Sequence, residues 1–380
     1  MSPVINLDYA SHTPADKRVL AKFCRVEQEF TGNVVAAHTM GRQAMTEMER
    51  VTTGIANLLR VKPQEIIFTS GASEANNLAI KGITKAYEHV GKHILSTCLE
   101  HPSVSGVLSV LQQQGYEVEL LKILPTGVVD LEHLKSVIRP DTVLVCVSAV
   151  DSELGVIQPI EEIAKVLENH KHCHLHVDGA QAIGKIPVQY NIPSTFCFSP
   201  HKFHGICGVG VLVKREGIVL EPIIHGGTST TIYRSGTPTL SLAAATYTAL
   251  AIAVQEMEER LKTVWLLRNY VLDALKPFPQ VRINSPLDIS CASPYILNIS
   301  VAGIKGTDFQ AALDRHGICV SVKSACSTDR APSRPVMAVS RDKKNALCSW
   351  RISFSHLTTT LEVDIFLSAF KNIMREFLPT

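Results

Sequence analysis

Short β-branched runs alternate with helix-spaced apolar segments through the first two-thirds of the chain, and that alternation leaves few ways to fold. The runs are EIIFTS, HILST, EVELL, TVLVCVSAV, HLHVD, TFCFS and GVGVLV. Between several of them, residues 76–87, 104–114, 131–138 and 160–169 carry apolar side chains at helical spacing. Such alternation predicts an α/β architecture, a mainly parallel sheet covered by helices on both faces. It also places functional groups in the loops beyond the strand ends.

The remaining third reads differently. An amphipathic stretch over 249–275 leads to KPFPQV, followed by strand YILNISV, a helix over 307–315, strand ICVSV, a polar loop, strand WRISFS and a closing helix from 360. This predicts a compact α+β unit. The expected organisation is a large α/β domain over 13–261 and a small α+β domain made of 1–12 and 262–380. An Ala-rich run over 240–254 is interrupted by Ser241, Thr246 and Thr248 and is shorter than a bilayer span, which predicts a buried helix.

Bulk properties narrow the possibilities. At 380 residues with 46% hydrophobic content, the chain has material for a substantial core. A net charge of +2 gives no electrostatic reason to expect a nucleic-acid or membrane partner. The first residues, MSPVINLDYASHTP, lack a basic leader and an apolar signal core, so a cytoplasmic protein is expected. Ten scattered cysteines without a CxxC pair read as reduced thiols, most of them packing groups.

Four elements at strand ends carry chemistry, each with a plain structural alternative. Thr69-Ser70-Gly71-Ala72-Ser73 opens a helix with small residues, which suits an anion but also occurs as an ordinary turn. His101, in Leu99-Glu100-His101-Pro102-Ser103, is able to stack on a planar group, or is a structural loop histidine. Asp178, in HVDGAQ, is placed to pair with a protonated pyridine nitrogen, or caps a helix. Lys202, in FSPHKFHG, is a Schiff-base nucleophile or a solvated loop lysine. His172, His174 and His176 alternate along one strand; strand periodicity explains their spacing without a metal.

In this order the elements carry a resemblance. With Leu7-Asp8, Gly32-Asn33, His38, Gly41, SGASEANN, LEHPSV, ELGVIQPI, HVDGAQ, FSPHK, HGG, RSGTP, SACS and WRISFS, the chain resembles the class V aminotransferase family, with the type I pyridoxal-phosphate fold. Within it, the chain is most similar to cysteine desulfurases of the iron–sulfur-assembly type, long-loop group. The resemblance implies pyridoxal 5′-phosphate held by Lys202. Asp178 would sit on the ring nitrogen, His101 on the ring face and Gln181 on the phenolic oxygen. Ala72, Ser73, Ser199 and His201 would hold the phosphate, completed by Thr237 of a partner subunit in a homodimer. Arg351 and Asn33 would bind the substrate. Cys326 would take sulfur from L-cysteine as a persulfide, leaving L-alanine, and pass it to an acceptor protein from a mobile polar segment, 327–340. Selenocysteine lyase activity, another class V reaction and a cofactor-free scaffold are the alternatives.

The chain departs from the pattern in places. Asp151-Ser152 stand where the family usually has paired asparagines, Lys323 replaces a glycine, and Val34-Val35-Ala36 and Thr228-Ser229 are atypical. Arg330, Arg334, Arg341, Lys343, Lys344 and Arg351 suggest either a basic docking surface for an acidic acceptor or a solvated loop.

Overall fold

A computed structural model describes residues 4–323 and 331–377. The chain opens with a short strand, β1 (Ile5–Asn6), and two helices, α1 (Lys17–Glu29) and α2 (Thr39–Leu59). Alternation follows: β2 (Ile66–Thr69), α3 (Ala72–Ala86), β3 (His93–Ser96), α4 (Pro102–Gln113), β4 (Glu117–Leu120), α5 (Leu131–Val137), β5 (Thr142–Ser148), α6 (Ile160–Leu167) and β6 (His174–Asp178). Then come β7 (Thr195–Phe198), β8 (Gly210–Lys214), α7 (Leu240–Gln255) and α8 (Met257–Leu275). The rest is β9 (Val281–Ile283), β10 (Ile296–Val301), α9 (Gly306–Arg315), β11 (Ile318–Cys319), α10 (Arg334–Ser340), α11 (Lys343–Leu347), β12 (Ser349–Ser353) and α12 (Thr360–Phe377).

Seven strands form the main sheet in the order β2-β8-β7-β6-β5-β3-β4. Only β8 runs antiparallel to its neighbours. Period-two alternation divides its side chains between two cores. Val145 and Val147 of β5 face the core built with α1, α2 and α7, while Leu144 and Cys146 face the one built with α3 and α4. Each fully buried aliphatic contributes roughly 1.5–3 kcal/mol, so a strand buried on both faces is held at the centre of the sheet, between the two cores. From β3 the chain steps outward to β4, then returns through β5 toward β6. The reversal opens a crevice at the carboxyl ends of β3 and β5.

A third core gathers around Trp350, which is fully buried and stacks on Phe309 at 4.9 Å between centroids. It packs the antiparallel sheet β12-β10-β9 and the parallel pair β1-β11 against α8, α9 and α12. The first residues therefore join the C-terminal part of the chain in space. Leu261 packs against both this core and that of α7, so the expected boundary at 261/262 falls inside α8.

Two expectations need correction. The amphipathic stretch 249–275 is not one helix: α7 and α8 meet at Glu256 with a bend of 67°. The Glu256 carboxylate accepts from Arg260 at 2.7 Å and Arg18 at 2.8 Å, holding the break without glycine or proline. The polar segment before β12 is not all loop, since α10 and α11 occupy much of it. Ser333 caps α10 through Val336 N–H at 3.2 Å, and Asp342 caps α11 through Lys344 N–H at 2.9 Å. No single described helix is long and apolar enough to cross a membrane.

Candidate active site

Ala72, Ser73, His101, Asp178, Gln181, Ser199, His201, Lys202 and Arg351 line one cavity of about 300 Å³ beyond the carboxyl ends of the sheet. All but Arg351 lie at or just after the ends of strands of the seven-stranded sheet; Arg351 comes from the middle of β12. Cys326 lies outside the described residues. Asn33 is exposed, its Oδ1 accepting from Val35 N–H at 3.1 Å, and it does not line the cavity. Thr237 is also exposed and lines an adjoining cleft with Ser70 and Gly208.

At one end, β2 stops at Thr69 and α3 starts at Ala72, presenting the unpaired first N–H groups of a helix. Gly71 lines the cavity between them, and a Cβ there would meet no protein atom within 4 Å. It would project into the space an anion needs. Gly210 keeps the turn close: a Cβ on it would lie 2.4 Å from the Gly71 carbonyl carbon. Ser199 Oγ donates to the Val209 carbonyl at 3.0 Å, and burial pushes His201, stacked on His12, down to about 4.

At the other end, Asp178 closes β6 in register with Ser148 of β5. Its carboxylate accepts from Asn76 Nδ2 at 2.8 Å and from Ala180 N–H at 2.9 Å. Asn76 is a hub, because its Oδ1 receives His176 Nε2 and Cys197 Sγ, both at 2.8 Å. An ionised Asp178 accepts only, so the Asn76 amide nitrogen must face it. His176 must then carry its proton on Nε2 while Nδ1 accepts from Thr195 Oγ1 at 2.9 Å. Burial lowers the pKa of His176, keeping it neutral as that pattern demands. Asn76 Nδ2 also donates to Ser103 Oγ, which bonds His101 Nδ1 at 2.8 Å. The cavity-lining His101 and the strand-end aspartate are thus oriented through one amide. Burial also holds the His101 pKa below its ordinary value.

Lys202 Nζ donates to the carbonyls of Ala10 at 2.9 Å and Ser11 at 2.8 Å. The same N-terminal stretch reaches Arg351, whose Nη2 bonds Asp8 at 2.7 Å and Ser11 Oγ at 2.8 Å, while Nη1 donates to the Ser152 carbonyl at 2.6 Å. Arg351 is buried, so it is no part of the basic docking surface suggested above. Of that group, Arg341, Lys343 and Lys344 are exposed, and Arg334 reaches Ser105 Oγ at 3.2 Å.

The Asp151-Ser152 departure has a local account. Asp151 Oδ2 accepts from the backbone N–H groups of Glu153 and Leu154, so its side chain serves its own turn; Ser152 lines the cavity instead. Burial raises Asp151 to about 7, and likewise Glu100, which accepts from Ser148 Oγ at 2.7 Å. Sequence reasoning passed over Ser11, Ser148 and Cys207, which also line the cavity. Cys207 had a local signal, standing five residues beyond Lys202 in the glycine-containing segment; the partners of Ser11 and Ser148 are too distant in sequence to be seen.

A primary amine, a strand-end carboxylate, a cavity-lining histidine and a helix start left open by Gly71 match the aldehyde, pyridine and phosphate of pyridoxal phosphate. The residues present fit that group.

The family described as Aminotransferase class-V matches residues 5–366. A NifS/IcsS protein homolog of Lactobacillus delbrueckii subsp. bulgaricus is 34% identical, covering 98% of this chain and 98% of its own. Cysteine desulfurase IscS of Neisseria meningitidis serogroup C is 37% identical over 94% of this chain and 89% of its own. Among solved structures, a NifS-like protein superposes with a TM-score of 0.91 at 33% identity, covering 98% of this chain and 100% of its own. SspA in complex with cysteine superposes with a TM-score of 0.80 at 28% identity, covering 94% and 100%.

Proposed function

The chain belongs to the class-V aminotransferase family, and from that membership we propose that it is a pyridoxal-phosphate-dependent cysteine desulfurase. L-Cysteine becomes L-alanine, and its sulfur passes to Cys326 as a persulfide bound for an acceptor protein. The observation that carries this reading is the convergence of Lys202, Asp178, His101 and Arg351 on one cavity, in a chain that also bears SACS. Relatives named as cysteine desulfurases and a solved neighbour held with cysteine support it.

When bound, the cofactor supplies an electron sink for the pair released as the substrate's Cα proton leaves. Lys202 would hold the cofactor and, when its amine is free, would carry that proton on Nζ. Asp178 would accept a hydrogen bond from the cofactor's ring nitrogen and favour its protonated form. Arg351 offers a buried guanidinium to the substrate carboxylate. The Cys326 thiolate attacks the substrate sulfur. An S–S bond forms, and the C–S bond breaks with its electron pair going to carbon, which takes up a proton.

The working unit in this reading is a homodimer, with Thr237 of each subunit completing the other's phosphate site. The exposure of Thr237 outside its own cavity supports this. A cytoplasmic location suits a catalytic thiol, and the described cysteines are free.

The test pairs two variants. Cys326→Ser is expected to stay yellow and lose sulfide release from cysteine by at least about 100-fold. Lys202→Ala is expected to lose the cofactor band that survives denaturation and borohydride treatment in the wild type. Full desulfuration by Cys326→Ser would overturn the reading, as would wild-type protein that cannot be reconstituted to a yellow form.

A further inference from the structure

Lys185 is a buried lysine that the mechanism above does not use. It follows Asp178 by seven residues, in the turn after β6, and its side chain faces away from the cavity into a small cleft. Its Nζ donates to Gln181 Oε1 at 2.8 Å, and the Tyr295 ring lies 5.7 Å from it. The Gln181 amide is thereby polarised in a definite sense. Its oxygen is committed to Lys185, and its nitrogen donates to the Ala10 carbonyl at 2.8 Å. That carbonyl is also the acceptor of Lys202 Nζ at 2.9 Å. A chain of donors therefore runs from Lys185 through Gln181 to the atom that holds the reactive amine.

Without Lys185, the Ala10 carbonyl alone would set the direction of the Gln181 amide. A carboxamide has nearly equal shape at oxygen and nitrogen, so only its partners fix its direction. Lys185 is suited to that task because an ammonium donates and cannot accept. Burial, together with the neighbouring Lys202 and Arg351, pushes it down to about 7. His201 and His204 face it from the turn after β7. Tyr9, Arg260 and His356 share its cleft. None of these is a carboxylate, so Gln181 supplies the hydrogen-bond acceptor that the ion pair of an ordinary buried lysine would supply.

We infer that Lys185 is a positioning residue that locks the Gln181 carboxamide with its N–H₂ end toward the cofactor cavity, making Gln181 an obligatory donor there. The inference rests on the cofactor reading given above. It assigns a role to the lysine of GKIP that is separate from the cofactor-bearing Lys202.

The experiment uses the holoenzyme of Lys185→Met, Gln181→Met and the double variant. It reads the pH midpoint of the visible absorbance together with kcat and KM for L-cysteine. Loss of a donor at the ring oxygen favours protonation of the cofactor linkage. Each single variant is therefore expected to raise the midpoint by about one pH unit and lower kcat by about tenfold, with KM changed less than about threefold. The double variant is expected to go no further than either single one, since both remove the same donor. A merely structural lysine would leave the midpoint in place. Lys185→Met with wild-type midpoint and kcat overturns the inference, and so do shifts that add in the double variant. Should Lys185→Met fail to accumulate in soluble form, Lys185→Gln, which keeps an N–H donor, replaces it. Its shift is then expected to be smaller than that of Gln181→Met and to vanish in the Gln181→Met background; a shift that persists there overturns the inference. A wild type that takes up no cofactor sinks the cofactor reading itself, an outcome distinct from all of these.

Discussion

Asp151 occupies a turn that needs an acceptor more than a charge. One carboxylate oxygen serves two backbone N–H groups, and the other, Oδ1, is buried without a hydrogen-bond partner among the described residues. Burial, reinforced by Glu153, raises its pKa from 3.8 to about 7. Below pH 4 the group is neutral in both the folded and unfolded chain. Between 4 and 7 only the folded chain keeps the proton, so stability falls as pH rises through this window and stays reduced above it. Asp151→Asn, which keeps the acceptor and restores the residue usual in similar proteins, is expected to escape the loss. At pH 8 it should be more stable than wild type by on the order of 2–4 kcal/mol, with the difference gone by pH 4, as read by urea unfolding at each pH. An equal stability difference at both pH values would refute this. The departure was visible in the sequence; its meaning was not, because a side chain turned into its own loop looks the same in one dimension as one turned to a ligand. Asn76 shows the same limit. It stood inside a motif, but its partners lie 27 to 121 residues away.

Among the elements, the strands and helices of the α/β part were legible because β-branched runs and 3.6-residue spacing are strong signals, and the strand-end rule then placed Asp178, His101 and Lys202 together. What escaped detection was held by charge rather than by pattern. The α7–α8 break is stabilised by Arg18 and Arg260 on Glu256, and α10 is capped by Ser333, whose hydroxyl also donates to Glu153 at 2.6 Å. The β2–α3 turn gives a prediction at this scale. Gly71 has an extended backbone, with φ 164° and ψ 174°, which alanine also adopts, and its Cβ would touch no protein atom. Gly71→Ala is expected to leave thermal unfolding of the apo protein unchanged while weakening pyridoxal-phosphate binding by at least about tenfold, because the methyl group occupies the anion cradle. Unchanged cofactor affinity, measured by equilibrium dialysis, would show that the phosphate sits elsewhere.

For the molecule as a whole, the cavity is shared between two sheets: Asp178 and Lys202 come from the seven-stranded one and Arg351 from the three-stranded one. A ligand that engages both ties separate cores together and adds stability by mass action. Stripping the cofactor is therefore expected to lower the midpoint of thermal unfolding by about 5 °C, recovered on reconstitution. Identical scans of apo and holo protein would contradict a site that spans both parts.

The first residues also set a timetable. Asp8 and Arg351 touch although they are 343 residues apart, and Ala10 and Ser11 brace Lys202 from the same stretch. During synthesis the brace for the reactive amine is made well before the guanidinium it contacts, 343 residues earlier in the case of Asp8. A nascent chain therefore has no finished site until almost all of β12 has left the ribosome, and an incomplete copy has no means of liberating sulfur in the wrong place.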